Sequence, residues 1–325
     1  MSNLDRVSEP TRCGGTAGIA TAPVREVFDG REVALGESTM VRRLLPNRGR
    51  RLVGPWCFVD HYGPDDIAGG PGMQVPPHPH IGLQTVSWLL DGVVHHRDSL
   101  GSDALIRPGE LGLMTAGRGI SHAEQSPQPH PDLLHGVQFW VALPSGSRDV
   151  EPAWDHHADL PIVAEGGAVA TVILGSHAGA TSPGRAYSPI VGVDVALDGS
   201  GDTLVPLEAE FEHAVLVMSG AAVVDGAGLD TGSMLYLGCA RHDLRLGAAG
   251  PARVLLLGGA PFEEEIVMWW NFVARSGDEI ADAREQWVAG TTFGRVAGYG
   301  DRRLGAPSLT AGRLKPGGAV RRPPP

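Results

Sequence analysis

Two short dyads about forty residues apart hold the side chains with the clearest capacity for chemistry. The first is His78-Pro79-His80, within Pro76-Pro77-His78-Pro79-His80. The second is His122-Ala123-Glu124, which follows Gly117-Arg118-Gly119-Ile120-Ser121. In an extended chain, residues i and i+2 point to the same face, so each dyad aims two potential ligands at one point. If the two segments lie side by side, three imidazoles and one carboxylate converge. That is a mixed nitrogen–oxygen site for a divalent transition metal, with coordination positions left open. The competing reading is that these are ordinary strand histidines, since the chain has 13 of them.

The elements that must position the dyads are strands and tight loops. Pro77 and Pro79 cannot donate ladder hydrogen bonds, which puts the first dyad at a strand end or sheet edge. The second dyad follows Thr115-Ala116-Gly117-Arg118-Gly119, whose glycines let the chain turn sharply before it presents ligands. The apolar segment 52–61, bounded by Gly and Pro, reads as a buried strand. Further strands are expected at 84–90, 93–98, 104–106, 111–115 and 136–143. Turn signals at Asp91-Gly92, Gly101-Ser102-Asp103 and Pro108-Gly109 separate them, a rhythm that suggests a sandwich or barrel. Ser276-Gly277-Asp278-Glu279 fits a helix capping box, and Ile280, Ala283 and Trp287 form the apolar stripe of one C-terminal helix that should dock on a barrel.

Bulk composition narrows the classes. A length of 325 residues suggests two domains. The 46 glycines and 26 prolines, with short apolar runs between turns, favour an all-β protein. A formal net charge of −11, with basic residues clustered only in the C-terminal tail, argues against direct nucleic-acid binding. Three cysteines provide no disulfide framework and fit a reducing cytoplasm. No apolar run suggests a signal peptide or a membrane span.

A weak internal repeat divides the β region. The segment 87–92 is answered by 216–220 with the glycines aligned, and 109–113 is answered by 232–236. The two halves therefore read as two copies of one barrel. The expected division is a disordered N-terminus over 1–21, a metal-binding barrel over 22–148, a metal-free barrel plus helix over 149–290, and a disordered tail over 291–325. The ligand types do not survive the repeat. His78 and His80 fall on Pro206 and Glu208, and His122 and Glu124 fall on Arg245 and Gly247. His213 and His242 are read as ordinary polar residues.

Several segments together resemble the pirin family: HPHIGLQTV at 78–86, HRDSLG at 96–101, MTAGRGISHAE at 114–124 and VMWWNFVAR at 267–275. LVGPWCFVDH at 52–61 and GVQFWVALP at 136–144 also match its pattern, and the resemblance spans roughly residues 25–290. It implies an all-β fold of two tandem cupin barrels, jelly-roll-like, with one C-terminal helix. It also implies one metal in the N-terminal barrel, on His78, His80, His122 and Glu124.

What the resemblance implies about function is a metal-dependent dioxygenase of the quercetin 2,3-dioxygenase type. It would act on a flavonol-like substrate and dioxygen, with Glu124 as both ligand and catalytic base. Iron(II) fits the ligand set first, and manganese, nickel, cobalt or copper are possible alternatives. The rival implication is a metal- or redox-dependent regulator that binds a protein partner, either a transcription factor or a metabolic enzyme. Asp60, His61, Gln84 and Gln138 are the expected outer neighbours of the site. Departures from the family pattern are Ile81 in place of Arg, Gln84 in place of Glu, and Gln125 in place of Met. They are expected to change pocket polarity beside the metal.

Overall fold

The computed structural model of the chain describes residues 10–16, 19–36 and 38–309. Among these the chain forms strands and one helix, Gly277–Ala289. Strand boundaries follow the turn signals closely. Leu83–Asp91 hands over to Val94–Asp98 through Gly92, whose φ of 90° lies in the left-handed region and where a Cβ would sit 2.7 Å from the Leu133 carbonyl oxygen.

The fold is two cupin barrels, each made of a large and a small sheet. The first barrel's large sheet runs in the order Ala153–His157, Leu111–Thr115, Leu83–Asp91, Leu133–Ala142, Trp56–Asp66, Thr39–Leu45, Arg31–Leu35. Its small sheet is Gln74–His80, Ile120–Gln125, Val94–Asp98, Asp103–Ile106. The second barrel repeats this order with Pro23–Asp29, Ser233–Gly238, Glu212–Ser219, Ala252–Gly259, Ile190–Leu197, Ala168–His177 and Ile162–Glu165 in the large sheet. Its small sheet is Thr203–Pro206, Asp243–Gly247, Ala221–Val224, Ala227–Asp230. Leu83–Asp91 and Glu212–Ser219 hold corresponding places, as the internal repeat predicts.

The two large sheets face each other across a core that includes Trp56, Trp88, Phe139, Leu216, Tyr236, Leu255 and Leu257. Polar links cross the same interface. The Trp88 indole donates to Asp194 Oδ2 at 2.7 Å, and the Trp56 indole donates to the Gly258 carbonyl at 3.0 Å. The second barrel is filled by aliphatic side chains such as Val193, Val215, Val217, Leu235, Leu244 and Leu256.

Segments cross the boundary expected at 148/149. Pro23–Asp29 closes the second barrel's large sheet by pairing with Ser233–Gly238, and Ala153–His157 closes the first barrel's by pairing with Leu111–Thr115. Each strand covers an edge that would otherwise present unpaired backbone groups. The hairpin of Ile266–Trp269 and Phe272–Ala274 also returns to the first barrel, together with the helix. Trp269, Trp270, Phe272, Ile280 and Trp287 pack there with Val41, Tyr62, Leu89 and Val94.

The helix starts as expected, with the Ser276 hydroxyl accepting from the Glu279 N–H at 3.2 Å. Its reciprocal partner differs from a standard capping box, because Glu279 Oε2 accepts from the Arg275 N–H at 2.8 Å. Two segments expected to be disordered are instead packed over their described parts. Thr11–Cys13 adds a strand to Ile266–Trp269, and Cys13 is buried. Beyond the helix, Phe293, Val296 and Leu304 are buried against it and the first barrel. Burial of these scattered apolar side chains holds the segment without any periodic pattern to announce it. Residues 1–9 and 310–325, the outer parts of the two termini expected to be disordered, lie outside the described residues.

Candidate metal centre

The two dyads meet on neighbouring antiparallel strands of the first barrel's small sheet. His122 sits directly opposite His78, and a bulge between His122 and Glu124 shifts the register before Glu124. The period of two then points His78, His80, His122 and Glu124 into the barrel. The ligand-capable nitrogens of the three histidines lie within 4.8 Å of one another. His80 Nε2 and His122 Nε2 are 3.1 Å apart, and Glu124 Oε2 is 4.0 Å from His122 Nε2. All three imidazoles are about 1% exposed and Glu124 is 8% exposed.

Burial disfavours the charged forms of these groups. Desolvation holds the His78 imidazole down to about 3, and it pushes His80 and His122 well below the ordinary histidine value, with the neighbouring imidazoles adding to the effect. Desolvation raises the Glu124 carboxyl to about 7, and the hydrogen bond from Ser87 opposes that rise. The tautomers of two imidazoles follow from their partners. His78 Nδ1 faces the Pro76 carbonyl and His80 Nδ1 faces the Asn271 carbonyl, both at 2.9 Å. A carbonyl can only accept, so each Nδ1 carries the proton and each Nε2 presents a lone pair to the barrel interior.

This donor set fits a metal ion. Lone pairs directed at one small volume repel one another unless a cation lies among them. Two imidazole nitrogens bound at right angles to one ion, at the roughly 2.0–2.1 Å typical of such bonds, stand about 3 Å apart. The 3.1 Å separation of His80 and His122 matches that spacing. Among the described residues, the two groups of three able to hold an ion are His78, His80, His122 and, sharing a member, His96, His122, Glu124. Both are in the first barrel. In the second, the corresponding strands carry Pro206 and, further along, Arg245 and Gly247.

The other residues singled out from sequence divide according to strand face. Phe58, Asp60 and Tyr62 on one strand, and Gln138 and Trp140 on its neighbour, line the cavity with the dyads. Asp60 is locked in a buried bidentate pair with Arg43, at 2.8 and 2.6 Å. Gln138 Oε1 lies 2.9 Å from the Ser87 hydroxyl, which also reaches Glu124 Oε1 at 3.1 Å. His61 is one residue out of phase and points away from the site, where its Nε2 is 3.0 Å from His135 Nε2. Gln84 also faces away. Its amide donates to Thr115 Oγ1 at 2.9 Å and to the Arg185 carbonyl at 3.0 Å, so the replacement of Glu by Gln there does not change the polarity of the cavity. On that strand the odd-numbered Ser87 faces the site and the even-numbered Gln84, Val86 and Trp88 do not. Ser87 went unrecognised in the sequence, although a lone hydroxyl between apolar neighbours was a usable signal. Gln125 contacts Arg97 Nη2 at 3.2 Å and the Tyr299 hydroxyl, outside the cluster of ligands.

Two barrels with one buried His/Glu cluster define a bicupin protein with a candidate metal centre in its N-terminal half. The pirin family model matches residues 38–141 and the pirin C-terminal cupin domain model matches residues 192–294. The chain belongs to the pirin family. A Pseudomonas aeruginosa relative named "Putative quercetin 2,3-dioxygenase" is 46% identical over 280 residues, which is 86% of this chain and 89% of the relative. A Caulobacter vibrioides pirin-like protein is 38% identical over 81% of this chain and 93% of its own length. The crystal structure of a quercetin 2,3-dioxygenase from Acinetobacter baumannii is similar with a TM-score of 0.85 and 42% identity, covering 89% of this chain and 96% of that one. Among the described residues, no helix is long and apolar enough to cross a membrane.

Proposed function

We propose that the protein is a metal-dependent dioxygenase acting on flavonol-like enols. One divalent transition metal would be held by His78, His80, His122 and Glu124. The observation that carries this reading is the convergence of three neutral imidazoles and one carboxylate in a cavity walled by Phe58, Tyr62 and Trp140. The names of the Pseudomonas and Acinetobacter relatives supply the substrate class. Iron(II) suits dioxygen chemistry, and manganese, nickel, cobalt and copper can use the same ligands; ligand type alone does not decide among them. When bound, the ion would supply a Lewis acid that favours the ionised enol and a redox partner for dioxygen.

The chain's own side chains would do the rest. Phe58 and Trp140 stack on each other at 4.2 Å and, with Tyr62, wall the cavity with apolar surface that excludes water from the ligands. Ser87 holds Glu124 Oε1, which leaves Oε2 directed toward the imidazoles. Glu124 Oε2 would take the proton of the substrate hydroxyl, converting enol to enolate as the carboxylate becomes a carboxylic acid. A carboxylate oriented by Ser87 at the substrate hydroxyl is a suitable acceptor for that proton.

The test is oxygen consumption and carbon monoxide release with quercetin, using protein loaded separately with iron, manganese, nickel, cobalt and copper. Turnover above a His78→Ala control in at least one metal form is expected. If every form matches the control on all flavonols and catechols tried, the dioxygenase reading fails and a role in binding a protein partner takes its place.

A further inference from the structure

His78 and His80 have their proton positions set by main-chain carbonyls, but His122 does not. Its Nδ1 instead lies 3.4 Å from His96 Nδ1. His96 Nε2 in turn lies 3.2 Å from Asp98 Oδ2. The other carboxylate oxygen, Asp98 Oδ1, accepts the main-chain N–H groups of Leu100 at 2.9 Å and Ser102 at 3.0 Å. His96 and Asp98 are each about 1% exposed. Trp154, on the strand that closes the first barrel's sheet, stacks on the His96 ring at 3.7 Å with the planes 6° apart.

We propose that Asp98 and His96 are positioning residues that fix the proton of His122 on Nδ1 and so keep its Nε2 lone pair turned into the metal centre. The logic follows from donors and acceptors. Asp98 Oδ1 is occupied by two N–H donors, which fixes the carboxylate's orientation and leaves Oδ2 for His96. A carboxylate can only accept, so a neutral His96 carries its proton on Nε2 and offers Nδ1 as an acceptor. His122 must then donate from Nδ1, and its Nε2 is unprotonated. Trp154 holds the intermediate ring in plane, so the chain does not depend on a freely rotating side chain. The device has the same i, i+2 form as the two ligand dyads, on the strand where Glu124 pairs with His96. A ligand imidazole whose other nitrogen is held by an outer partner is better oriented and more basic, and loss of such a partner typically costs about 10–100-fold in metal affinity.

The proposal rests on the reading of His122 as a metal ligand, and the test separates the two. Asp98→Asn is the sharpest variant. Its amide keeps an oxygen for Leu100 and Ser102 but presents N–H groups to His96. The His96 proton would move to Nδ1, and the His122 proton would move to Nε2, facing the metal. Competition between the protein and a chelator for Ni²⁺ should show affinity about 10–100-fold below wild type. His96→Leu should behave likewise, while His96→Gln, which can accept from His122 and donate to Asp98, should restore most of the affinity. Wild-type binding that is unchanged in folded Asp98→Asn overturns the proposal. Wild type that binds no nickel overturns the ligand reading. A second measurement needs no variant. Long-range ¹H–¹⁵N NMR of the metal-free wild type should place protons on His122 Nδ1 and His96 Nε2, and the opposite tautomers overturn the proposal even where a variant fails to fold.

Discussion

The main-chain carbonyl of Asn271 lies 2.9 Å from His80 Nδ1, although 191 residues separate the two in sequence. The C-terminal end of the second repeat thus returns to set the tautomer of a candidate ligand in the first. Asn271 follows Trp270, whose φ of 52° is in the left-handed region that bulky residues rarely adopt. Trp270 is held there by burial among Trp269, Phe272 and Trp287, with ring centroids 5.5–6.4 Å apart.

That packing makes the helix part of the site's support. Trp287 is 3% exposed and its indole donates to the Leu304 carbonyl at 2.9 Å. Trp287→Ala is expected to cost about 3–5 kcal/mol in stability, and to weaken metal binding by loosening the hairpin that carries Asn271. Denaturant melts and chelator competition check the two effects. A wild-type melting curve would show that the helix is not part of the core.

Asp60 lines the cavity, yet its pairing with Arg43 gives it a structural role. Asp60→Ala would leave a guanidinium at 1% exposure without its carboxylate. A loss of about 3–5 kcal/mol is expected, because a buried charge deprived of its counter-ion cannot recover its hydration. Urea unfolding measures this, and a cost below about 1 kcal/mol, the range of exposed pairs, would contradict the assignment.

His61 and His135 predict that the fold is acid-sensitive. Burial lowers both, and His61 titrates only at about 3 in the folded chain. An unfolded histidine binds its proton near about 6.5. Below that pH the unfolded state holds protons that the folded state refuses, so stability is complete above about 6.5 and falls as pH drops toward the folded value. Other buried histidines contribute in the same direction, so the informative quantity is a difference. Between pH 7 and 5 the urea midpoint of His61→Gln should fall less than that of wild type. Parallel curves would show that the pair carries none of the effect.

The barrels should persist without metal. Their cores are aliphatic and aromatic, and the inter-barrel cluster around Trp56 and Trp88 is distant in composition from the His/Glu cluster. Chelation at 25 °C is expected to leave the β circular dichroism intact and to soften only the mouth of the first barrel. Loss of the β signal on chelation would mean that the metal holds the fold.

How much was legible in the sequence follows from the range of each interaction. The dyads could be read because a strand's period of two fixes which neighbours share a face, whatever the rest of the chain does. The helix could be read because Ser276 and the spacing of Ile280, Ala283 and Trp287 are local signals. His61 and Gln84 were misplaced because each sits next to an inward-facing position, Asp60 or Thr85, and a shift of one residue reverses the face. The partnership of His96 with His122 needed the order of strands in the small sheet. The crossing of Pro23–Asp29 and the return of Asn271 are long-range pairings that no local pattern announces.

The central claim is that His78, His80, His122 and Glu124 together hold one ion. Elemental analysis of purified wild type and of the four single alanine variants, each loaded with the same metal and desalted, tests it most directly. One metal per chain in wild type and a clear loss in every variant is the predicted result, since removal of one ligand leaves the others around an under-coordinated ion. Two metals per chain, or full occupancy in His122→Ala, would contradict the account.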